Sequence, residues 1–243
     1  MSAAGKPAIV LTRDERIVTL TLDRPEVLNA YDRQMRDEIF AALEWLHGEP
    51  EVSVLIVRGN GRAFSTGGDL REFGSAPSPL RAREVRQMRD VWGLWATLPC
   101  VAIAAVHGYA AGGGLEMALL CDLLVCASDA RFGLPETGLG LIPGVGGTQT
   151  LPRAIGLGRA AAVLLAGEWL DARAAVRSGL ALRAVPRPRL DATARALARR
   201  VARIEPSLLR VAKAAVRRGL DLPLAEGLGL ERRLGSALGP SVE

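Results

Sequence analysis

An α/β architecture with a largely parallel sheet is the fold this chain predicts, on three observations. Short apolar runs at Ser53–Arg58, Val101–Ala105 and Leu123–Ala127 have the length and bulk of buried strands. Stretches of helical periodicity lie between them, and strands that alternate with helices pair in parallel. From about Leu190 onward only helical signals remain.

Taken in order, residues 8–11 and 17–22 flank Arg13-Asp-Glu-Arg16 and predict a β-hairpin. From Asp32 to His47, Met35, Ile39, Leu43 and Leu46 form a helical stripe. The strand Ser53–Arg58 closes at the Gly59-Asn-Gly61 turn. Gly74-Ser-Ala-Pro-Ser-Pro79 is expected as loop, with an amphipathic helix from there to about Thr97. After the strand at Val101–Ala105 a helix is expected from Gly113 or Gly114 to about Cys121. Short helices follow Pro152, and Leu180–Val185 is expected as the last strand. Pro186-Arg-Pro188 punctuates the join to helices at Ala192–Arg203, Ser207–Arg218 and Leu222–Leu234. A core over 1–187 and a helical region over 188–243 are therefore expected, which 243 residues accommodate.

Composition narrows the function classes. No apolar run approaches the length of a membrane span. Nothing near the N-terminus reads as basic, then apolar, then cleavable, so a cytoplasmic protein is expected. Cys100, Cys121 and Cys126 lie in apolar surroundings without metal-ligand spacing and are expected as buried thiols. The net charge of +5 hides an asymmetry: residues 153–233 carry 17 basic against 7 acidic side chains, residues 1–152 carry 14 against 18. Only Lys6 and Lys213 of the 31 basic residues are lysine, a bias under which a single arginine carries little mechanistic weight. The basic third lacks the interleaved aromatics that stack nucleic-acid bases, so a solvated face is the expectation.

The chemistry concentrates in two glutamates twenty residues apart. Glu116 lies in Gly108-Tyr-Ala-Ala-Gly-Gly-Gly-Leu-Glu-Met-Ala-Leu-Leu-Cys-Asp122, and Glu136 in Arg131-Phe-Gly-Leu-Pro-Glu-Thr-Gly-Leu-Gly-Leu-Ile-Pro-Gly-Val-Gly-Gly147. A buried carboxylate costs several kcal/mol, so two in neighbouring apolar segments point to proton transfer rather than packing. Ala63-Phe-Ser-Thr-Gly-Gly-Asp-Leu70 and Gly112-Gly-Gly114 add glycines that expose backbone N–H groups, the second at a helix mouth. One donor from each loop would make an oxyanion hole, and two tight packing turns would look the same from spacing.

These segments resemble the crotonase (enoyl-CoA hydratase/isomerase) superfamily. Leu22-Asp-Arg-Pro-Glu-Val-Leu-Asn-Ala30, Ala63–Leu70, Gly108–Asp122, Phe132–Gln149 and Leu151-Pro-Arg153 occur in the family's order, over nearly the whole chain. The resemblance implies a spiral of repeated β-β-α units, with C-terminal helices that assemble a trimer or a hexamer of paired trimers. It implies an acyl-coenzyme A thioester as substrate, with no metal and no separate cofactor. Carried onto this chain, the oxyanion donors fall on Gly68 and Gly113. The catalytic pair falls on Glu116, mainly the base toward water, and Glu136, which handles the proton at C2. Val27, Leu28 and the segment Thr66–Leu70, with Thr66, Asp69 and Leu70, are expected along the adenine and pantetheine groove. Gly144 is expected at the acyl and water end, and Phe64, Gly112 and Pro135 are expected among the residues that bind substrate. Arg24 and Arg71 could meet phosphates, while Asp69 and Asp122 read as structural carboxylates.

His107 reads as a satisfied buried imidazole and His47 as a helix cap. The family's helices usually continue into a further helix and a basic-aromatic tail that covers coenzyme A. Here Leu222–Leu234 is followed by the stretch to Glu243, which leaves nucleotide affinity and oligomer stability open.

Both glutamates being present favours a hydratase adding water across a 2,3-double bond. The alternatives are a Δ3,Δ2-enoyl-CoA isomerase using Glu136 alone, and a non-catalytic protein that binds nucleic acid through its basic helices.

Overall fold

The computed structural model describes residues 6–72 and 89–238. The expected hairpin is β1 (Ile9–Asp14) and β2 (Ile17–Leu22), paired antiparallel, with Glu15 of the turn at φ 51°. β2 then pairs in parallel with β3 (Val54–Gly59), and β3 with β4 (Val101–Val106). The ladder continues through β6 (Leu123–Ala127) to β9 (Arg183–Val185). The six-stranded sheet runs β1-β2-β3-β4-β6-β9. Its inner strands are covered on both faces, which is why they run apolar instead of alternating.

The expected helix at 32–47 is α1 (Arg33–His47). The Asp32 side chain accepts the Met35 N–H as N-cap, and Met35, Ile39, Ala42, Leu43 and Leu46 are buried. Of the segment expected as loop and helix before Thr97, α2 (Val91–Ala96) is described, capped by Asp90; Gly74–Pro79 lies outside the described residues.

A second sheet, order β5-β7-β8, consists of β5 (Tyr109–Ala111), β7 (Arg131–Gly133) and β8 (Leu170–Asp171). Strands of two or three residues are too short for any periodicity, so sequence pattern does not reveal them. They complete the repeat: β4, β5 and α3 (Gly113–Leu120) form one β-β-α unit. β6, β7 and α4 (Gly147–Ile155) form the next, with a 3-10 turn at Pro135–Leu139 between strand and helix. α4 begins before Pro152 and carries it internally, earlier than the expected change of pattern. α5 (Leu157–Leu165) and α6 (Ala172–Arg177) follow.

The C-terminal helices are α7 (Leu190–Ala202), α8 (Pro206–Gly219) and α9 (Leu224–Ser236). α7 does not belong with an appendage beginning at 188. Leu190, Ala194, Leu197 and Ala198 pack against Ile17, Val54, Ile56, Ile103, Val125 and Ala127 and cover one face of the large sheet. α8 is tied to the core by charge: Lys213 donates to the Cys100 carbonyl (2.7 Å) and pairs with Asp122 (2.7 Å), as does Arg217. Asp122 also accepts the Ala102 N–H, the structural role expected of it. Leu208, Val216, Leu220, Leu224 and Leu228 of α8, α9 and their connection are exposed. Among the described residues no helix is long and apolar enough to cross a membrane.

All three cysteines are buried free thiols, as expected. Burial pushes Cys100 up to about 11 and Cys121 and Cys126 up to about 12, leaving them inert at neutral pH.

Candidate active site

Two backbone loops meet between the sheets. The segment after β3 runs beside β5: Ser65 N–H donates to the Tyr109 carbonyl and Ala111 N–H to the Ser65 carbonyl. Tyr31 N–H donates to the Gly67 carbonyl (2.8 Å), and Asp69 N–H donates to the Tyr31 carbonyl (2.9 Å). In this parallel bridge the bonds use the residues on either side of Gly68. Gly68 N–H therefore stands outside the ladder, with no backbone acceptor among the described residues.

Gly113 opens α3, where a first-turn N–H has no intrahelical partner, and it too meets no backbone acceptor among the described residues. A Cβ on Gly67 would sit 2.9 Å from the Gly113 nitrogen, so the two loops touch. The preceding Gly112 has φ 51° and ψ −130°, a conformation that only glycine adopts without strain. Gly114 is pressed on the loop, since a Cβ there would lie 2.3 Å from the Ser65 carbonyl oxygen.

Glu116 lies in the first turn of α3 and is 2% exposed. Its Oε1 accepts the N–H groups of Val145 (2.8 Å) and Gly147 (2.7 Å), at the entrance to α4. Burial raises its pKa, and the backbone N–H groups of 144–147 work against that rise by favouring the charged form. Glu136 sits in the 3-10 turn and is half-buried. Its Oε1 lies 2.8 Å from where a Gly112 Cβ would be, and its Oε2 is buried without a hydrogen-bond partner among the described residues. Burial raises this pKa as well, and the charge on Glu116 adds to the rise. The two carboxyls thus share one site in unlike settings: the N–H groups of 144–147 favour the charged form of Glu116, while Glu136 has only its own backbone N–H and an Oε2 buried without a partner among the described residues. That is the asymmetry an acid and a base need.

The remaining expected site residues divide. Val27 and Leu28 are half-buried, and Leu28 N–H and carbonyl sit in the turn that accepts Thr66 N–H (3.2 Å). Leu70 is 63% exposed beside Asp69. Gly112 and Pro135 flank Glu136, and exposed Gly144 lies beside Glu116. Phe64, expected to bind substrate, has its side chain fully buried in the main core. Asp69 is structural as expected, taking Arg71 N–H and both arginine side chains. Its carboxyl is held well below the usual range by the Arg71 guanidinium. Arg24 pairs with Asp32 and Asp69, so both candidate phosphate arginines are engaged by carboxylates. His107 meets the Gly61 carbonyl, and burial lowers its pKa; His47 meets the Leu43 carbonyl at the end of α1.

Sequence reasoning missed the braces of the site. Asn29 is fully buried at φ 56°, its Nδ2 donating to the Asn60 and Ala63 carbonyls (both 2.8 Å) and its Oδ1 accepting Arg24 N–H. Ser65 Oγ donates to the Asn29 carbonyl and accepts Gly67 N–H. A signal existed: an asparagine directly after an apolar turn suits a left-handed position and can bond its surroundings.

Arg183, Arg189 and Arg200 border an open groove of about 480 Å³ on the outer side of α7. Among the described residues no group of three His, Cys, Asp or Glu side chains is placed to hold a metal ion.

Comparison with known proteins shows the family. The model of the family described as enoyl-CoA hydratase/isomerase matches residues 12–241. A probable enoyl-CoA hydratase of Mycobacterium tuberculosis is 41% identical over 226 residues, covering 93% of this chain and 87% of the relative. The 2,3-dehydroadipyl-CoA hydratase of Escherichia coli is 38% identical over 229 residues, covering 93% and 88%. A crystal structure of an enoyl-CoA hydratase subunit from Geobacillus kaustophilus superposes with a TM-score of 0.90 at 39% identity, covering 96% of this chain and 90% of that one.

Proposed function

The chain belongs to the enoyl-CoA hydratase/isomerase family, and on that premise we propose that it adds water across the 2,3-double bond of 2-enoyl-CoA thioesters. The observation that carries this reading is the pair of unlike carboxyls beside two unbonded backbone donors. In the proposed step Glu116, ionised, takes a proton from water as the water oxygen bonds to C3. The π electrons move onto the thioester oxygen as an enolate, which the N–H groups of Gly68 and Gly113 stabilise. The enolate collapses and C2 takes the proton of neutral Glu136, giving the 3-hydroxyacyl thioester. Glu116 then holds a proton and Glu136 does not, and exchange with the next water restores the pair. The donors favour the enolate over the substrate because charge grows on oxygen only as the reaction proceeds. The step uses no metal and no separate cofactor.

Purified protein offered 2-enoyl-CoA thioesters of short, medium and aromatic acyl chains should form the 3-hydroxyacyl product from at least one. Conversion of 3-enoyl thioesters without any hydration would replace this reading with the isomerase, in which Glu136 works alone.

The pH profile carries a sign. Activity needs Glu116 charged and Glu136 protonated, and both pKa values are raised by burial. kcat/KM should therefore be bell-shaped, with an acid limb above the ordinary glutamate range as Glu116 protonates and an alkaline limb as Glu136 ionises. The limbs belong to the pair, since the charges interact. A rate that holds steady as pH falls to the ordinary glutamate range contradicts the assignment.

Helices α8 and α9 are proposed to assemble the oligomer, a trimer or paired trimers, through the leucines they leave exposed. A cytoplasmic location is part of the proposal, and three free thiols agree with a reducing compartment.

A further inference from the structure

We propose that Tyr31 is the positioning residue that sets the spacing of the two oxyanion donors, a role that rests on the hydration reading above. Its main chain holds one loop: Tyr31 N–H and carbonyl bond Gly67 and Asp69, which fixes Gly68 between them and leaves the Gly68 N–H outside the ladder. Its side chain bears on the other loop. A Cβ on Gly113 would lie 2.6 Å from the Tyr31 hydroxyl oxygen and 2.7 Å from Cε1, so the ring edge rests on the Gly113 Cα.

The ring is itself backed. Trp92 meets it edge-on with centroids 5.4 Å apart, and Trp92 stacks on Trp95 at 6.3 Å. Trp95 is buried in the core, so the row of rings ends on a rigid wall. The first turn of α3 is also stopped by the Ser65 carbonyl against Gly114. The Tyr31 ring therefore stops Gly113, while the Ser65 carbonyl stops the next residue, Gly114. The same residue thus fixes both donors, and their separation decides whether both reach one oxygen. A donor displaced by about 1 Å costs on the order of 100-fold in rate.

Two substitutions separate this role from ordinary packing. Tyr31→Ala removes the ring and leaves the backbone bonds, and should lower kcat for hydration by about 10- to 100-fold with little change in KM. Tyr31→Phe restores the ring edge and should recover most of the lost kcat. The second readout is the infrared carbonyl stretch of a bound 2-enoyl-CoA thioester, taken in a Glu116→Gln background to prevent turnover. Two well-placed donors lower that frequency; Tyr31→Ala should give back at least half of the shift and Tyr31→Phe should keep it. Should Tyr31→Ala fail to fold, Trp92→Leu withdraws the backing ring and should weaken both readouts in the same direction.

Unchanged kcat and carbonyl frequency in the ring-deleted variant overturn the inference. So does a phenylalanine variant as impaired as the alanine one, which would put the role on the hydroxyl. A wild type that lowers the carbonyl frequency without hydrating overturns the hydration reading alone, and the infrared shift still decides the role of Tyr31.

Discussion

Glu136→Gln is expected to lower kcat for hydration by about 10²- to 10⁴-fold while the thioester binds nearly as before, because positioned proton transfer contributes on that order. Glutamine keeps the shape of the side chain beside Gly112 but has no proton to give C2. Glu116→Gln should be equally damaging to hydration, since its amide can still accept the Val145 and Gly147 N–H groups but cannot take a proton from water. The double variant should be little worse than either single one, as groups acting as a unit are not additive.

The two variants part company in a second experiment. Deuterium exchange at C2 of a saturated acyl thioester needs one base and the oxyanion donors, but no attacking water. It should survive in Glu116→Gln and vanish in Glu136→Gln. Exchange that persists without Glu136 would assign the C2 proton to another group. Stability should move the other way from activity. Burial raises the Glu136 pKa, so between its unfolded and folded values the native state holds more protons and stability falls as pH rises. The glutamine variant escapes that loss, and its advantage in denaturant midpoint should grow as pH rises through that window.

Asn29→Asp is expected to destabilise the protein by about 3–5 kcal/mol, the range for a buried charge left uncompensated. The change is isosteric, yet it turns the Nδ2 donor into an oxygen facing the Asn60 and Ala63 carbonyls. Three acceptors would then crowd a site with no accessible surface. The loop from Ala63 to Gly67 hangs on this residue and on Ser65, so the variant should also lose kcat beyond its loss of folded protein. Urea unfolding of the variant measures the first effect. A midpoint within a few tenths molar of wild type would show that the loop is held by other means.

Legibility followed the range of each signal. Strands β1 to β4 and β6, α1, and α7 to α9 were readable because each spans enough residues to show a period or an unbroken apolar run, whereas β9 keeps only Arg183–Val185 of the strand expected over Leu180–Val185. The three-residue strands β5 and β7 and the two-residue β8 carry no period of their own and exist because neighbouring backbone offers pairing partners. The same limit blurred the C-terminal boundary: α7 has an amphipathic pattern like its successors, and nothing local says that its apolar face meets the large sheet. Phe64 shows the converse, a residue within a functional motif whose side chain serves the core.

The sequence by itself determined the parallel α/β scheme, the two glycine-rich loops and the two carboxylates, since these depend on residue type and near-neighbour spacing. Only the tertiary structure decided what makes those carboxylates unlike. Val145 and Gly147 reach Glu116 from about thirty positions away, while the Glu136 Oε2 lies buried with no partner among the described residues. Tyr31, Asn29 and Ser65 likewise gained their bracing roles through contacts across distant parts of the chain. Burial and hydrogen bonding set charge and position, and both are properties of the assembled neighbourhood, which no local stretch of residues contains.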